Sequence, residues 1–244
     1  MGIQTTKDRY FNGREYRLIR KSLHRKIVAK FIEERGERLE NDLEAILLGG
    51  GSGSGKSFIV NEIIGTEGFV IIDSDKIKEE LMEYRVLIKK KNVLAADIVH
   101  DESSDIANML LKATIEIPDS FIYDGTMKNR EKYKGIIEEL RNKGYKIYMV
   151  VVDVDVEVAL GRAQLRYEGD GRFVSEKTVR ETNMLVAASF LELVDLVDSY
   201  TVFENSVTGI DPKIIAKKDL NQPIEIFDDK AFEKFTKKSD LMIM

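Results

Sequence analysis

The 244-residue chain contains no cysteine. Disulfides, thiolate metal sites and thiol nucleophiles are therefore excluded. Histidine is nearly as scarce, with only His24 and His100, so acid–base chemistry falls on carboxylates. Positive charge is not in excess. A formal net charge of −5 argues against a general nucleic-acid coat or an anionic-membrane binder and leaves room only for a local basic groove. No run is apolar enough to span a bilayer, and the opening residues, Met1 to Asp8, form no signal core. A cytoplasmic location is the expectation. Internal repeats and low-complexity tracts are absent too. What remains is 43% hydrophobic and 33% charged, enough for a proper core under a soluble surface. The length suits one large α/β domain, alone or with a tail.

The run Gly50-Gly51-Ser52-Gly53-Ser54-Gly55-Lys56-Ser57 fits the phosphate-binding loop pattern G-x-x-x-x-G-K-[ST] at every specified position. Ala45-Ile46-Leu47-Leu48 ahead of it reads as a buried parallel strand. Phe58-Ile59-Val60 and Ile63-Ile64 behind it have helical spacing. Glycines let the backbone wrap a phosphate without a Cβ in the way, and successive N–H groups form an anion nest at the positive end of a helix. Lys56 is placed to reach the β- and γ-phosphates and Ser57 to hold Mg²⁺. A Gly/Ser linker is the alternative, but a linker requires neither the Lys-Ser ending nor the strand–loop–helix frame. The segment implies a nucleoside triphosphate, ATP, with Mg²⁺.

Further along, apolar strands alternate with amphipathic helices. A helix over 14–39 carries a stripe of Leu18, Ile19, Leu23, Ile27, Val28, Phe31 and Ile32. Later strands are expected at 69–72, 121–123, 145–152 and 200–203. Helices are expected from Lys76 to about Arg85, over 93–117, 130–143 and 156–167, and from about Ser175 to Leu191, with Glu168–Arg172 as a loop. The pattern predicts a three-layer P-loop fold with a mostly parallel five-stranded sheet, an N-terminal helix and a small C-terminal extension. Residues 1–205 form the main domain, and 206–244 hold a hairpin, Lys213–Ala216 with Pro223–Phe227, and a short helix. Ligands in such sheets bind beyond the carboxyl ends of the strands. The loop, Asp73/Asp75 and Asp124/Thr126 all follow strand ends, so one crevice is expected to collect them.

Phosphoryl transfer needs cationic clamps, a metal ligand and an aligned nucleophile. Asp75 is the candidate base for a substrate hydroxyl, and helix N-capping is its other reading. Asp73 either orients water on the metal or simply ends its strand. Arg162 and Arg166 share a helix face at i, i+4, and Arg172 follows in a glycine-flanked loop. They read as a lid closing over ATP, or as a solvated face paired with Glu157 or Glu168.

The runs His100-Asp101-Glu102-Ser103-Ser104-Asp105-Ile106-Ala107-Asn108, Ile122-Tyr123-Asp124-Gly125-Thr126, Arg166-Tyr167-Glu168 and Gly171-Arg172-Phe173-Val174 together resemble the zeta toxin family of phosphate-loop kinases, over roughly 45–191. The resemblance implies ATP-dependent phosphorylation of UDP-N-acetylglucosamine at the sugar 3′-hydroxyl. Its product poisons cell-wall synthesis, and an antitoxin protein restrains the enzyme. Carried over by position, Lys56 and Ser57 bind nucleotide and Mg²⁺, Asp75 is the base, Arg166 and Arg172 stabilise the transferred phosphate, and Thr126 touches the acceptor's diphosphate. Asp73, Glu102, Ser103 and Asp124 join the acceptor side. The chain departs from the family at Asp124, where Glu is common, and at Asn108, where some members carry a carboxylate. A polynucleotide kinase is the first rival, disfavoured by the acidic charge and the lack of an aromatic-basic stripe. A non-catalytic ATP-binding switch is the second.

Overall fold

The computed structural model describes residues 3–38 and 43–239. A seven-stranded sheet runs in the order β2-β3-β1-β4-β5-β6-β7. Its strands are β1 (Glu44–Gly49), β2 (Val70–Asp73), β3 (Phe121–Asp124), β4 (Lys146–Asp153), β5 (Ser199–Glu204), β6 (Lys213–Lys218) and β7 (Glu225–Ile226). The first five are parallel, as alternation with helices requires. The five-stranded expectation falls short by two. The hairpin foreseen in the C-terminal extension does form, but β6 pairs antiparallel with β5 and carries β7 outward. One sheet thus crosses the 205/206 boundary. Residues 240–244 of that extension lie outside the described residues.

The helices are α1 (Thr6–Tyr10), α2 (Leu18–Glu33), α3 (Lys56–Phe58), α4 (Ser74–Glu80), α5 (Met82–Lys89), α6 (Ala95–Glu116), α7 (Arg130–Asn142), α8 (Val156–Asp170), α9 (Glu176–Leu193) and α10 (Asp229–Lys237). α3 passes directly into a π-helical turn, Ile59–Ile64, that buries Ile59 and Val60. The helix predicted over 14–39 is shorter, and its stripe holds from Leu23 through Ile27, Val28, Phe31 and Ile32 but not at its first turn; the last predicted residue lies outside the described ones. Leu18 and Ile19 of the expected stripe are about 80% exposed (82% and 80%), while Arg20 and His24 turn inward with Ile27 and Phe31. The cause is Glu102 on α6. It is fully buried and takes Arg20 Nη2 at 2.8 Å and His24 Nε2 at 2.6 Å. A buried carboxylate needs partners, so Arg20 and His24 are held inward beside the part of the stripe that packs on the core. The helix expected over Lys76–Arg85 is broken at Leu81, whose backbone is extended and whose side chain is fully buried. α8 runs on to Asp170 and is capped by Gly171 at φ +81°, so the expected loop at 168–172 begins only there.

Candidate functional site

β1 sits between β3 and β4, the place where connections leave the sheet in opposite directions and a crevice opens. The loop Gly50–Ser57 turns there. Gly53 (φ +78°) and Gly55 (φ +93°) hold left-handed backbone, which L side chains rarely adopt. Lys56 Nζ folds back to donate to Gly50 O at 2.9 Å and lies 3.9 Å from Asp124 Oδ1. From α8, Arg162 Nη1 donates to Gly53 O at 3.4 Å and Arg166 Nη2 to Ser52 Oγ at 3.3 Å. Two polar atoms here are buried without a partner, Ser54 Oγ and Arg166 Nε. Buried donors are almost always satisfied. A loop of backbone amides with an orphaned hydroxyl and an orphaned guanidinium nitrogen fits an anion such as a phosphate.

Across the crevice stand three aspartates. Asp73 and Asp124 end neighbouring strands as register partners, so their carboxylates repel. Burial, then Asp124 and Asp75, push the Asp73 carboxyl up to about 7. Asp124 is raised by burial as well, against the pull of Lys56. Asp75 behaves oppositely. Burial alone would raise it, but Lys78, Arg172 and Lys56 outweigh that and hold it below the ordinary carboxylate range. Its carboxylate stays half-exposed, at 51%, while Lys78 Nζ, buried beside it on α4, donates to Asp75 Oδ1 at 2.7 Å. The N-cap reading belongs to the other acid: Asp73 Oδ1 accepts from Asp75 N at 2.7 Å, because α4 begins at Ser74. Asp75 is thereby free of capping duty. The chemistry available is a loop for phosphates facing an ionised carboxylate.

Arg172 lies on the same side, its Nε 3.0 Å from Asp170 Oδ2 and its Nη1 3.8 Å from Glu79 on α4. It lines a cavity of about 380 Å³ with Glu79, Tyr84, Arg85 and Ile88. Asp75 and Glu79, at i, i+4, share one face of α4. Thr126 follows β3, half-buried, beside Met127, which is fully buried at φ +56°.

Three predicted acceptor-side residues are not brought into this group. Glu102 is consumed by Arg20 and His24, which hold its carboxyl down at about 2 against burial. Ser103 is buried and donates to His100 O at 2.8 Å. Asn108 sits on the exposed face of α6. Other residues at the site were not foreseen. His100 lies within electrostatic reach of Lys78 and Asp75, and partial burial together with Lys78 lowers its pKa. Asn183 on α9 and Asn205 after β5 both bond to carbonyls of the loop; single asparagines carry no sequence signature.

The family model described as Zeta toxin matches residues 37–210. Two relatives stand out in sequence. A calmodulin calcium-dependent NAD kinase of Arabidopsis thaliana is 26% identical over 73% of this chain and 43% of its own length. Toxin PezT of Streptococcus pneumoniae is 25% identical over 55% of this chain and 54% of its own. The chain thus spans about half the length of each. The AvrRxo1-ORF1:ORF2 complex solved with ATP superposes with a TM-score of 0.76 over 98% of this chain and 83% of that one, at 15% identity, a likeness of fold.

Proposed function

Because this chain belongs to the Zeta toxin family, we propose that it is an ATP-dependent kinase acting on a hydroxyl of a nucleotide bridged through a diphosphate. The observation that carries the reading is Asp75: ionised, half-exposed, relieved of capping, and set with a loop whose buried Ser54 Oγ and Arg166 Nε have no protein partner. Gly50–Ser57, Arg162 and Arg166 would hold the triphosphate. Among the described residues no cluster of three or more acidic or histidine side chains forms a metal site by itself. Mg²⁺ would therefore be held by Ser57 and the phosphates, with Asp73 and Asp124 beside it. Bound there, Mg·ATP supplies the γ-phosphoryl group. Asp75 takes the acceptor's hydroxyl proton as the oxygen bonds to the γ-phosphorus and the bridge to the β-phosphate breaks, releasing ADP. Arg166 and Arg172 spread the charge that develops on the phosphoryl oxygens.

For the acceptor, UDP-N-acetylglucosamine follows from the family resemblance. NAD is the second reading, favoured by the NAD kinase that matches 73% of the chain. Both present ring hydroxyls at one end of a diphosphate, the part suited to Thr126 and to Arg172. A small antitoxin partner is part of the proposal, since PezT is a toxin and AvrRxo1-ORF1 was solved with ORF2.

The test is transfer of label from γ-labelled ATP, with Mg²⁺, to UDP-N-acetylglucosamine, NAD, nucleosides and oligonucleotides in parallel. Label in one diphosphate-bridged nucleotide is the expected result. Asp75→Asn should keep ATP affinity and lose about 10²- to 10⁴-fold in turnover. ATP binding with no acceptor labelled, or undiminished turnover in that variant, refutes the reading.

A further inference from the structure

The phosphate loop is gripped from outside. Asn183 Nδ2 donates to Ser52 O at 3.1 Å, and Asn205 Nδ2 donates to Ser54 O at 2.7 Å. Both side chains are buried and come from distant parts of the chain, one from α9 and one from the end of β5. In a planar trans peptide the carbonyl and the following N–H point in opposite directions. Fixing Ser52 O and Ser54 O outward therefore turns the N–H groups of Gly53 and Gly55 inward, and these two have no acceptor among the described residues. The neighbouring N–H groups are spent elsewhere: Ser52 N donates to Thr182 Oγ1 at 3.2 Å and Ser54 N to Gly51 O at 3.2 Å. The grip and the open amides thus alternate along the loop.

The same asparagines account for two of the glycines. A Cβ on Gly51 would lie 2.3 Å from Asn183 Cγ, and one on Gly55 would lie 2.2 Å from Asn205 Nδ2. Both contacts are closer than any real Cβ contact, so loop and asparagines fit one another as a unit. Each asparagine is anchored in turn. Asn183 Nδ2 also donates to Val179 O at 2.8 Å within α9. Asn205 N donates to Asp153 O at 2.9 Å, and the buried Asp153 carboxylate pairs with Lys238.

We infer that Asn183 and Asn205 are positioning residues that hold the Gly53 and Gly55 amides toward the triphosphate, so that nucleotide affinity depends on two side chains outside the loop motif. The inference rests on the kinase reading. Preorganised donors bind without a reorganisation cost at the moment the anion arrives.

The experiment measures the Kd of a fluorescent ATP analogue, the KM values of ATP and acceptor, and the thermal midpoint for full-length variants. Asn183→Ala and Asn205→Ala should each raise the ATP Kd by about tenfold and leave the acceptor KM within about twofold. Asn183→Leu and Asn205→Leu keep the approximate volume, remove the carboxamide, and should lose as much, which covers the case of an alanine variant that does not fold. Gly51→Ala should abolish binding in the wild-type background. Paired with Asn183→Ala, which clears the clash, it should add less than tenfold to the Kd of Asn183→Ala alone. Variants that bind ATP within twofold of wild type overturn the inference. So does an equal loss of ATP and acceptor affinity with a lowered midpoint, which marks general packing. A wild-type protein that binds no triphosphate overturns the kinase reading itself, an outcome distinct from the other two.

Discussion

At the scale of single residues, the informative contrast is between three aspartates within one crevice. Asp73 is pushed toward protonation by burial and by Asp124, and Asp124 by burial and by Asp75, while Asp75 is kept ionised by its cationic neighbours. Pairs of acids whose surroundings drive them apart divide naturally into roles. Lys78 is the nearest of those cations, its Nζ 2.7 Å from Asp75. Besides Lys78, the groups facing Asp75 are Arg172, Lys56, Asp73, Asp124, Tyr84 and His100. Removing the lysine takes away the largest attraction opposing burial and leaves only Arg172 and Lys56 against it, so the pKa of Asp75 rises. Lys78→Met should move the acid limb of the kcat/KM profile to higher pH, so that its deficit against wild type grows as pH falls, whereas Lys78→Arg should stay near wild type. A pH–rate profile with an unmoved acid limb would reduce Lys78 to packing. The loop, Lys56 and Asp75 were legible in the sequence because each sits in a short local pattern. Asn183 and Asn205 were not, since their partners lie 131 and 151 residues away and no local spacing encodes such a contact.

Among elements, the start of α4 joins structure to chemistry, because Asp73 both caps it and titrates abnormally. Its folded pKa, about 7, lies above the ordinary carboxylate value. Below about pH 4 Asp73 is protonated folded and unfolded, and nothing is lost. As pH rises toward about 7 the unfolded chain releases the proton while the folded one retains it, so stability falls. Asn is as good an N-cap as Asp, so Asp73→Asn removes the charge and keeps the cap. In chelator-treated protein, the variant should gain on wild type by on the order of 1 to 3 kcal/mol between about pH 5 and 8, read from urea midpoints. A variant that loses ground as pH rises would mean that the ionised form is stabilised instead. Sequence alone offered the cap to Asp75 and not to Asp73, because that choice turns on a one-residue difference in where the helix begins. The failure of the α2 stripe at Leu18 and Ile19 has the same origin in kind. Periodicity marks apolar faces, but here a buried carboxylate 82 residues from Arg20 decides which face turns in.

For the molecule as a whole, the question is whether the C-terminal extension folds with the kinase core or beside it. β6 continues the sheet from β5, and α10 packs Phe235, fully buried, against Phe190 of α9 at a ring-centroid distance of 5.4 Å. Phe190 in turn stacks edge-on with Tyr200 of β5 at 5.2 Å, and Lys238 reaches back to Asp153 at the end of β4. The extension therefore supplies part of the core that supports the strand ends around the loop. Emptying a fully buried phenylalanine costs about 3 to 5 kcal/mol, so Phe235→Ala should lower the melting midpoint by roughly 10 °C. If the chain is one cooperative unit, that shift appears in a single transition followed alike by far-UV signal and by bound fluorescent nucleotide. A variant whose extension melts early while nucleotide binding keeps its wild-type midpoint would make residues 206–244 an independent appendage. The aromatic chain from Phe235 through Phe190 to Tyr200 argues for the single transition, since it leaves no apolar surface at which the two parts could separate without exposing the core.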